Sequence, residues 1–430
     1  MRILVIGSGG REHALVNALS QSPTPTTLYA APGNPGTAQH ATNVEVEATD
    51  LDGLVAFAQD EGIDITLVGP EQPLVDGIVD RFEEAGLRIV GPTADAARLE
   101  GSKAFADEFM DRHGIPTARF RVFDADDYDE AAAYLDEVGA PIVVKADGLA
   151  AGKGAFVCST LAEAHDALDE IVQERAFGAA GDRVVVEERM EGEEVSVLAL
   201  TDGSQYVLLT PSQDHKPIGE GGTGPNTGGM GAFAPAPIVD GGLLTRICRE
   251  IVEPTLQGMQ AEGTPYRGVL YCGLMITPDG PKVVEYNCRL GDPEAQVVLP
   301  LVESDLVPVF DALADGTLDT GSLRAAPGAA ACVVLASGGY PIQYETGYAI
   351  SGVEEAEALP DVSVIHAGTR RRADGTLETA GGRVLGVTAR GADLPEALDR
   401  AYEGVDLIDF NGKTIRSDIG EKGLEHLSDA

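Results

Sequence analysis

The first 95 or so residues alternate between short apolar runs and longer stretches with helical spacing. RILVI, TLYAA, ITLVGP and RIVGP read as buried strands, and REHALVNALSQ, LDGLVAFAQDEG and LVDGIVDRFEEAG as amphipathic helices. Such alternation predicts a parallel sheet with helices on its faces. From about 101 to 325 the pattern changes. TADAARLEGSKAFADEFMDRHG reads as one long helix, and PIVVKADG, GAFVCS and RVVVEER as strands around a glycine-rich loop, with a helix near 161–175. VSVLALTDG, SQYVLLT, VLYCGLMITPDG and PKVVEYN predict an antiparallel sheet with hairpin turns, and GEGGTGPNTGGMGAF (219–233) a long flexible loop. From about 326 strands return in ACVVLASGGYP, VSVIHAGTRR and GRVLGVTARG, followed by a helix over LPEALDRAYEG. The expected architecture is multidomain, α/β and α+β. It comprises an α/β domain over 1–100, a larger unit over 101–325 and a β-rich α+β unit over 326–430.

Composition narrows the class. No run of about eighteen apolar residues exists, so no membrane helix is expected. MRILVIGSGG lacks the features of a secretory signal, and a cytoplasmic location is the expectation. Five scattered cysteines without a C-x-x-C spacing point to reduced thiols, neither a disulfide frame nor a zinc site. The net charge is −40, from 70 acidic and 30 basic residues, which disfavours nucleic acid and anionic membrane as partners. Acids interspersed with core residues predict a folded protein whose self-repulsion is screened at high salt, as in a halophile's cytosol. Only seven lysines remain, and Lys145 and Lys153 flank one glycine-rich loop. Where surface lysine has been depleted, those that survive are enriched at positions where an ammonium is chemically required.

Three glycine- and proline-rich loops, GSGG, APGNPG and GPEQP, each follow an N-terminal strand, where ligands of parallel sheets bind. GSGGREHA carries Glu12 where a dinucleotide fingerprint needs its last glycine, and no acid for a ribose follows the second strand. That disfavours a nicotinamide oxidoreductase and leaves Gly9, Gly10 and Arg11 as a phosphate loop or a bare tight turn. GLAAGKGA resembles a P-loop but has Gly154 where Ser or Thr belongs, and it joins strands. Its backbone amides and Lys153 suit a polyphosphate, while Lys145 lies within an apolar strand, a costly place without an anion. The blander reading is a hairpin turn with a snorkelling lysine. Glu187, Glu188 and Glu194 near a nucleotide would accept ribose hydroxyls; taken alone, the favoured reading is a solvated acidic turn. In VVEYNCR alternate residues share a face, so Glu285 and Asn287 present two oxygen donors suited to magnesium, with Arg289 continuing that face.

These motifs carry a resemblance. GSGGREHAL, APGNPGTA, VGPEQPLV, LEGSKAFA, KADGLAAGKG, SQDHK, TGPNTGGMGA, EYNCRLGDPE and HAGT run end to end. With them the chain resembles the ATP-grasp superfamily and, within it, the phosphoribosylamine–glycine ligase family. The resemblance implies an ATP-grasp core with a mobile lid at about 118–190, between an N-terminal substrate-phosphate domain and a β-rich C-terminal domain. It implies ATP-dependent joining of glycine to 5-phosphoribosylamine in purine biosynthesis, with Mg²⁺ or Mn²⁺, in a monomer or weak homo-oligomer. By resemblance, Lys103, Lys145, Gly148, Gly152, Lys153 and Gly154 grip the ATP phosphates. Glu187, Glu188 and Met190 form the adenine hinge, Glu194 holds the ribose, and Glu285 and Asn287 hold the metal. Arg289, Lys145 and Asp292 are the expected catalytic groups. Gly9, Gly10, Arg11, Gly33, Asn34 and Glu71 would hold the ribose phosphate, and Asp214, Lys216 and Arg289 the amino substrates. The alternatives are an ATP-grasp ligase or carboxylase acting on a related purine intermediate, and a nucleotide-binding regulator without turnover.

Overall fold

The computed structural model describes residues 1–150 and 154–429. Its N-terminal unit is a five-stranded parallel sheet built on Arg2–Gly7, with Thr27–Pro32 and Ile65–Val68 on either side and short strands at both edges. Every residue from Ile3 to Ile6 is fully buried, because helices cover both faces and the strand therefore needs no polar alternation. The predicted helix after residue 72 is two short ones, Glu71–Val75 and Ile78–Glu84, separated by Gly77 at φ +86°. A left-handed residue there breaks the helical hydrogen-bond ladder, and glycine takes that conformation without a Cβ penalty.

The predicted long helix is likewise two, Ala94–Gly101 and Lys103–His113. Ser102 is extended, and its hydroxyl accepts from the Phe105 amide at 3.1 Å as an N-cap. Asp147 reinforces the break, accepting from the Ser102 hydroxyl (2.8 Å) and the Ala104 amide (2.7 Å). The helical periodicity is continuous in sequence, but the break puts Lys103 in a first turn facing the glycine-rich loop.

Two antiparallel four-stranded sheets follow. Strands Phe120–Asp124, Arg183–Glu188, Ile142–Ala146 and Ala155–Cys158 pair in that order. Helices Tyr128–Val138 and Leu161–Leu168 cover one face, giving this unit its own core around Leu135, Val144 and Leu168. The other sheet orders Tyr206–Leu208, Glu193–Thr201, Gly268–Thr277 and Gly280–Asn287. A bulge at Val284, opposite Gly273 and Leu274, changes which residues of the last strand share a face.

The C-terminal sheet corrects two expectations. It takes in Gln213–Asp214 and Gly231–Ala234 beside Ala329–Ala336, Arg383–Gly391 and Val362–His366. The 219–233 stretch is therefore not one flexible loop: Thr223–Asn226 pairs with Pro217–Gly219, and Gly231–Ala234 is a buried strand. Its glycines are used for close approach, since a Cβ on Gly231 would lie 2.6 Å from the Cys332 carbonyl oxygen. No helix among the described residues is long and apolar enough to cross a membrane.

Candidate active site

A cleft of about 790 Å³ runs between the two antiparallel sheets and opens onto the N-terminal and C-terminal units. Its first arm lies beneath the strand Ile142–Ala146. Lys145 is almost fully buried, with Nζ 2.6 Å from Glu187 Oε2 and 3.3 Å from the Val284 carbonyl that the bulge turns outward. Burial opposes its charge, yet Glu187 and Asp107 outweigh it and raise the Lys145 pKa. Lys103 donates to the Gly148 carbonyl at 3.3 Å, and burial lowers its pKa. Gly148 packs on Ala180, and Gly154 forms part of the cleft wall. Gly152 and Lys153 lie outside the described residues. Glu188 pairs with Arg119 (2.7 Å) and Lys282 (3.3 Å), and both it and Met190 line the cleft.

The cleft floor is the face of Gly280–Asn287 and the residues after it. Glu285 and Asn287 line it, as strand alternation requires, and Arg289, two residues beyond the strand end, lines it too. Lys216 reaches in from the opposite side, 3.0 Å from Glu194 and 3.6 Å from Glu285. It therefore ties the position expected for the ribose acid to the position expected for the metal. Burial disfavours charge on Glu285, but Lys216, Lys103 and Lys145 prevail and lower its pKa. Burial among other carboxylates pushes Asp214 up to about 7, against the pull of Lys216. Beside it, Ser196, Tyr271 and Glu294 form a buried hydrogen-bonded triad with contacts of 2.8–3.2 Å. With its amide oriented to suit the surrounding acceptors, the Asn287 nitrogen donates to Glu100 Oε1 (2.9 Å) and to the Tyr286 carbonyl (3.2 Å).

The second arm is a lattice of alternating charges. Arg289 contacts Glu100 at 2.8 Å and Glu71 at 3.3 Å, and Glu71 lies 4.0 Å from Arg11. Asp292 pairs with Arg383 at 3.3 Å and accepts from Gln296 at 2.8 Å; Arg383 and Arg11 hold its pKa low despite burial. Burial pulls the Glu100 carboxyl up, against the opposing pull of the Arg289 guanidinium 2.8 Å away. Arg11 donates to the Gly69 carbonyl, and its Nε has no partner among the described residues.

The expected phosphate loops are only partly brought here. Arg11 and Glu71 line the cleft, whereas Gly9, Gly10, Gly33 and Asn34 do not reach its wall. The helix N-terminus at Gly9 and Gly10 already faces carboxylates. The Gly9 amide donates to Glu12, and Cβ atoms on Gly9 and Gly10 would fall 3.6 and 3.5 Å from Asp292. Asn34 spends its side chain on structure, donating to the Ser8 and His366 carbonyls at 2.9 Å each and accepting from the Gly36 and Thr37 amides.

Sequence reasoning passed over Glu100, Asp107, Glu294 and Arg383, all of which line the cleft. In a chain with 70 acidic residues, nothing local distinguishes a buried Asp or Glu from a solvated one. The usable signal was partial: Asp107 and Met110, three apart, share a face of one helix, whereas Glu100 lies on the helix before the break. Among the described residues no group of three or more His, Cys, Asp or Glu side chains is arranged to hold a metal ion.

Comparison with known proteins places this geometry. The family profiles described as Phosphoribosylglycinamide synthetase match the chain in three parts. The N domain covers residues 1–100, the ATP-grasp (A) domain 101–295 and the C domain 330–422. Proteins named phosphoribosylamine–glycine ligase from Chlorobaculum tepidum and Vibrio cholerae are each 52% identical. The first aligns over 99% of this chain and 100% of its own length, the second over 99% of both. The crystal structure of phosphoribosylamine–glycine ligase from Thermotoga maritima superposes with a TM-score of 0.84 at 33% identity, covering 97% of this chain and 100% of that one. The biotin carboxylase domain of Hydrogenobacter thermophilus 2-oxoglutarate carboxylase shares the fold, with a TM-score of 0.73 at 18% identity over 96% of this chain and 91% of that one.

Proposed function

The chain belongs to the phosphoribosylglycinamide synthetase family across its N, ATP-grasp and C domains, and from that premise we propose how its cleft carries out the reaction. It ligates glycine to 5-phosphoribosylamine at the expense of ATP, yielding glycinamide ribonucleotide, ADP and phosphate. The observation that carries the reading is one continuous cleft. It joins a buried lysine pair, Lys103 and Lys145, to the oxygen-donor face of Glu285 and Asn287 and to the arginine lattice around Arg289.

Lys103 and Lys145 lie where the nucleotide phosphates would thread between the lid and the floor. Lys145 is a compact point charge already desolvated by the fold, so its attraction to an anion is little attenuated by water. Glu285 and Asn287 fit a hard divalent cation, Mg²⁺ or Mn²⁺, as two adjacent oxygen donors, with phosphate oxygens and water for the remaining positions. Such an ion would offset charge on the phosphates. Lys216, between Glu194 and Glu285, holds both carboxylates at fixed spacing.

The chemistry proceeds without a protein nucleophile. A glycine carboxylate oxygen attacks the γ-phosphorus, the bond to the ADP oxygen breaks, and glycyl phosphate forms. The phosphoribosylamine nitrogen then attacks the acyl carbon, phosphate departs, and the nitrogen gives up a proton. The chain's work is to position the reactants and neutralise charge, with Arg289 anchored against the reacting groups. A closed cleft also protects the acyl phosphate from water. Arg11 and Glu71 suit the ribose phosphate end, and Asp214 the amino end.

The test is ADP release in buffered KCl with ATP, Mg²⁺, glycine and freshly generated phosphoribosylamine, each omitted in turn. ADP formation that needs both glycine and phosphoribosylamine is expected. Formation with neither, or only with another acid or amine, would sink the substrate assignment.

A further inference from the structure

On the helix Lys103–His113, Asp107 is buried yet lines the nucleotide arm of the cleft. Its carboxyl lies against that of Glu187, the charged group that acts on it most strongly. Asp107 Oδ2 and Glu187 Oε1 are both shut off from solvent, and neither has another donor among the described residues. Two carboxylate oxygens cannot satisfy one another, because each only accepts; one proton between them satisfies both. The other Glu187 oxygen is 2.6 Å from Lys145 Nζ.

We propose that Asp107 is a positioning residue for the nucleotide site: it carries a proton that it donates to Glu187, so that the Lys145 ammonium is offset by one negative charge instead of two and the arm stays attractive to the phosphates. The proposal rests on the reading of this arm as the nucleotide site.

Charge counting makes the consequence concrete. With the proton in place, Lys145, Glu187 and Asp107 sum to zero, and Lys103 adds a positive charge. Without it the trio carries −1 at the place where an anion must enter. The groups facing Asp107 are few. Glu187 and Lys145 come from the lid strands and Lys103 from its own helix. Tyr286 approaches from the strand behind, its hydroxyl hydrogen-bonded to Thr255 of the neighbouring helix. Glu285 and Asp147 act on Lys103. On the helix packed before it, Glu100 is committed to Arg289, and at the far helix end His113 and Glu262 pair with each other. Burial, then the Glu187 charge, push the Asp107 carboxyl up to about 8, so the proton is held at neutral pH and released in mild alkali.

The experiment is ADP binding with Mg²⁺ by titration calorimetry at fixed ionic strength, from pH 7 to pH 9, on the full chain and on Asp107→Asn. If only the protonated form binds, about a tenth of the protein is competent at pH 9, and the apparent Kd rises by up to about tenfold. Asp107→Asn keeps a donor to Glu187 and cannot ionise, so its Kd should change less than about twofold over the same range. If the asparagine variant does not fold, Asp107→Ser, which also retains a donor, takes its place. A flat profile for the unaltered protein would overturn the proposal, as would an equal alkaline loss in the variant. Absence of ADP binding at pH 7 would instead overturn the nucleotide reading, and the inference with it.

Discussion

Removal of Glu100 should unfasten the cleft floor. Its carboxylate is 5% exposed and serves three groups: the Arg289 guanidinium (2.8 Å), the Cys288 amide (2.6 Å) and the Asn287 side chain (2.9 Å). Glu100→Ala leaves Arg289 buried with the longer ion pair to Glu71 and a hydrogen bond to the Leu290 carbonyl, and it orphans a buried backbone N–H. Removing one member of a buried ion pair costs about 3–5 kcal/mol. The surviving Glu71 contact places the expected loss near the lower end, about 3 kcal/mol. Glu100→Gln keeps an acceptor for Cys288 and should cost about half as much, the difference between a charge-assisted and a neutral hydrogen bond. The double variant Glu100→Leu/Arg289→Met buries no charge and should recover most of the stability lost by Glu100→Ala, though not activity. Urea unfolding followed by tyrosine fluorescence and circular dichroism reads all three. The chain has no tryptophan, and urea, being uncharged, does not screen its −40 charge. An alanine variant destabilised by less than about 1 kcal/mol would refute the reasoning, as would a double variant no more stable than Glu100→Ala.

Lys145→Met, of similar length but uncharged, should raise the KM for ATP about 10- to 150-fold, the equivalent of a charged hydrogen bond of about 1.5–3 kcal/mol; an unchanged KM would remove Lys145 from the phosphate site. With 70 acidic against 30 basic residues, raising KCl from about 0.1 to 2 M should raise the thermal midpoint, because the Debye length shrinks from about 10 Å to a few ångströms; a midpoint insensitive to salt would show that self-repulsion does not limit stability. Hydrogen bonding to Arg416 depresses the Asp418 carboxyl from 3.8 to about 2. Its stabilisation is therefore complete above about pH 3.8 and is lost as the pH falls toward 2. Acid unfolding of Asp418→Asn should depend less steeply on pH across that window than unfolding of the unaltered chain, and parallel curves would contradict the assignment.

The sequence by itself determined the local elements and one whole face of the site. The N-terminal alternation implied a parallel sheet, and Ile3–Ile6 are indeed buried on both faces. Strand periodicity was enough to put Glu285 and Asn287 on one side, because that relation depends only on residues two apart; Arg289 joins them from beyond the strand end. The family was legible from motifs spread over the chain. Tertiary structure alone decided the rest. Helical periodicity ran unbroken through Ser102, and the Asp147 contacts, from the end of the Ile142–Ala146 strand, reinforce the Ser102 cap where the helix stops and restarts. Gly231–Ala234 looked like part of a loop until Ala329–Ala336, about a hundred residues later, supplied its pairing partner. Glu100 finds Arg289, and Glu187 finds Asp107, across 189 and 80 positions of sequence. Periodicity records which side of an element is buried, since burial repeats with the helix or strand. It does not record which opposite charge waits on that side, because compensation between buried ions is settled by whichever elements the fold brings into contact.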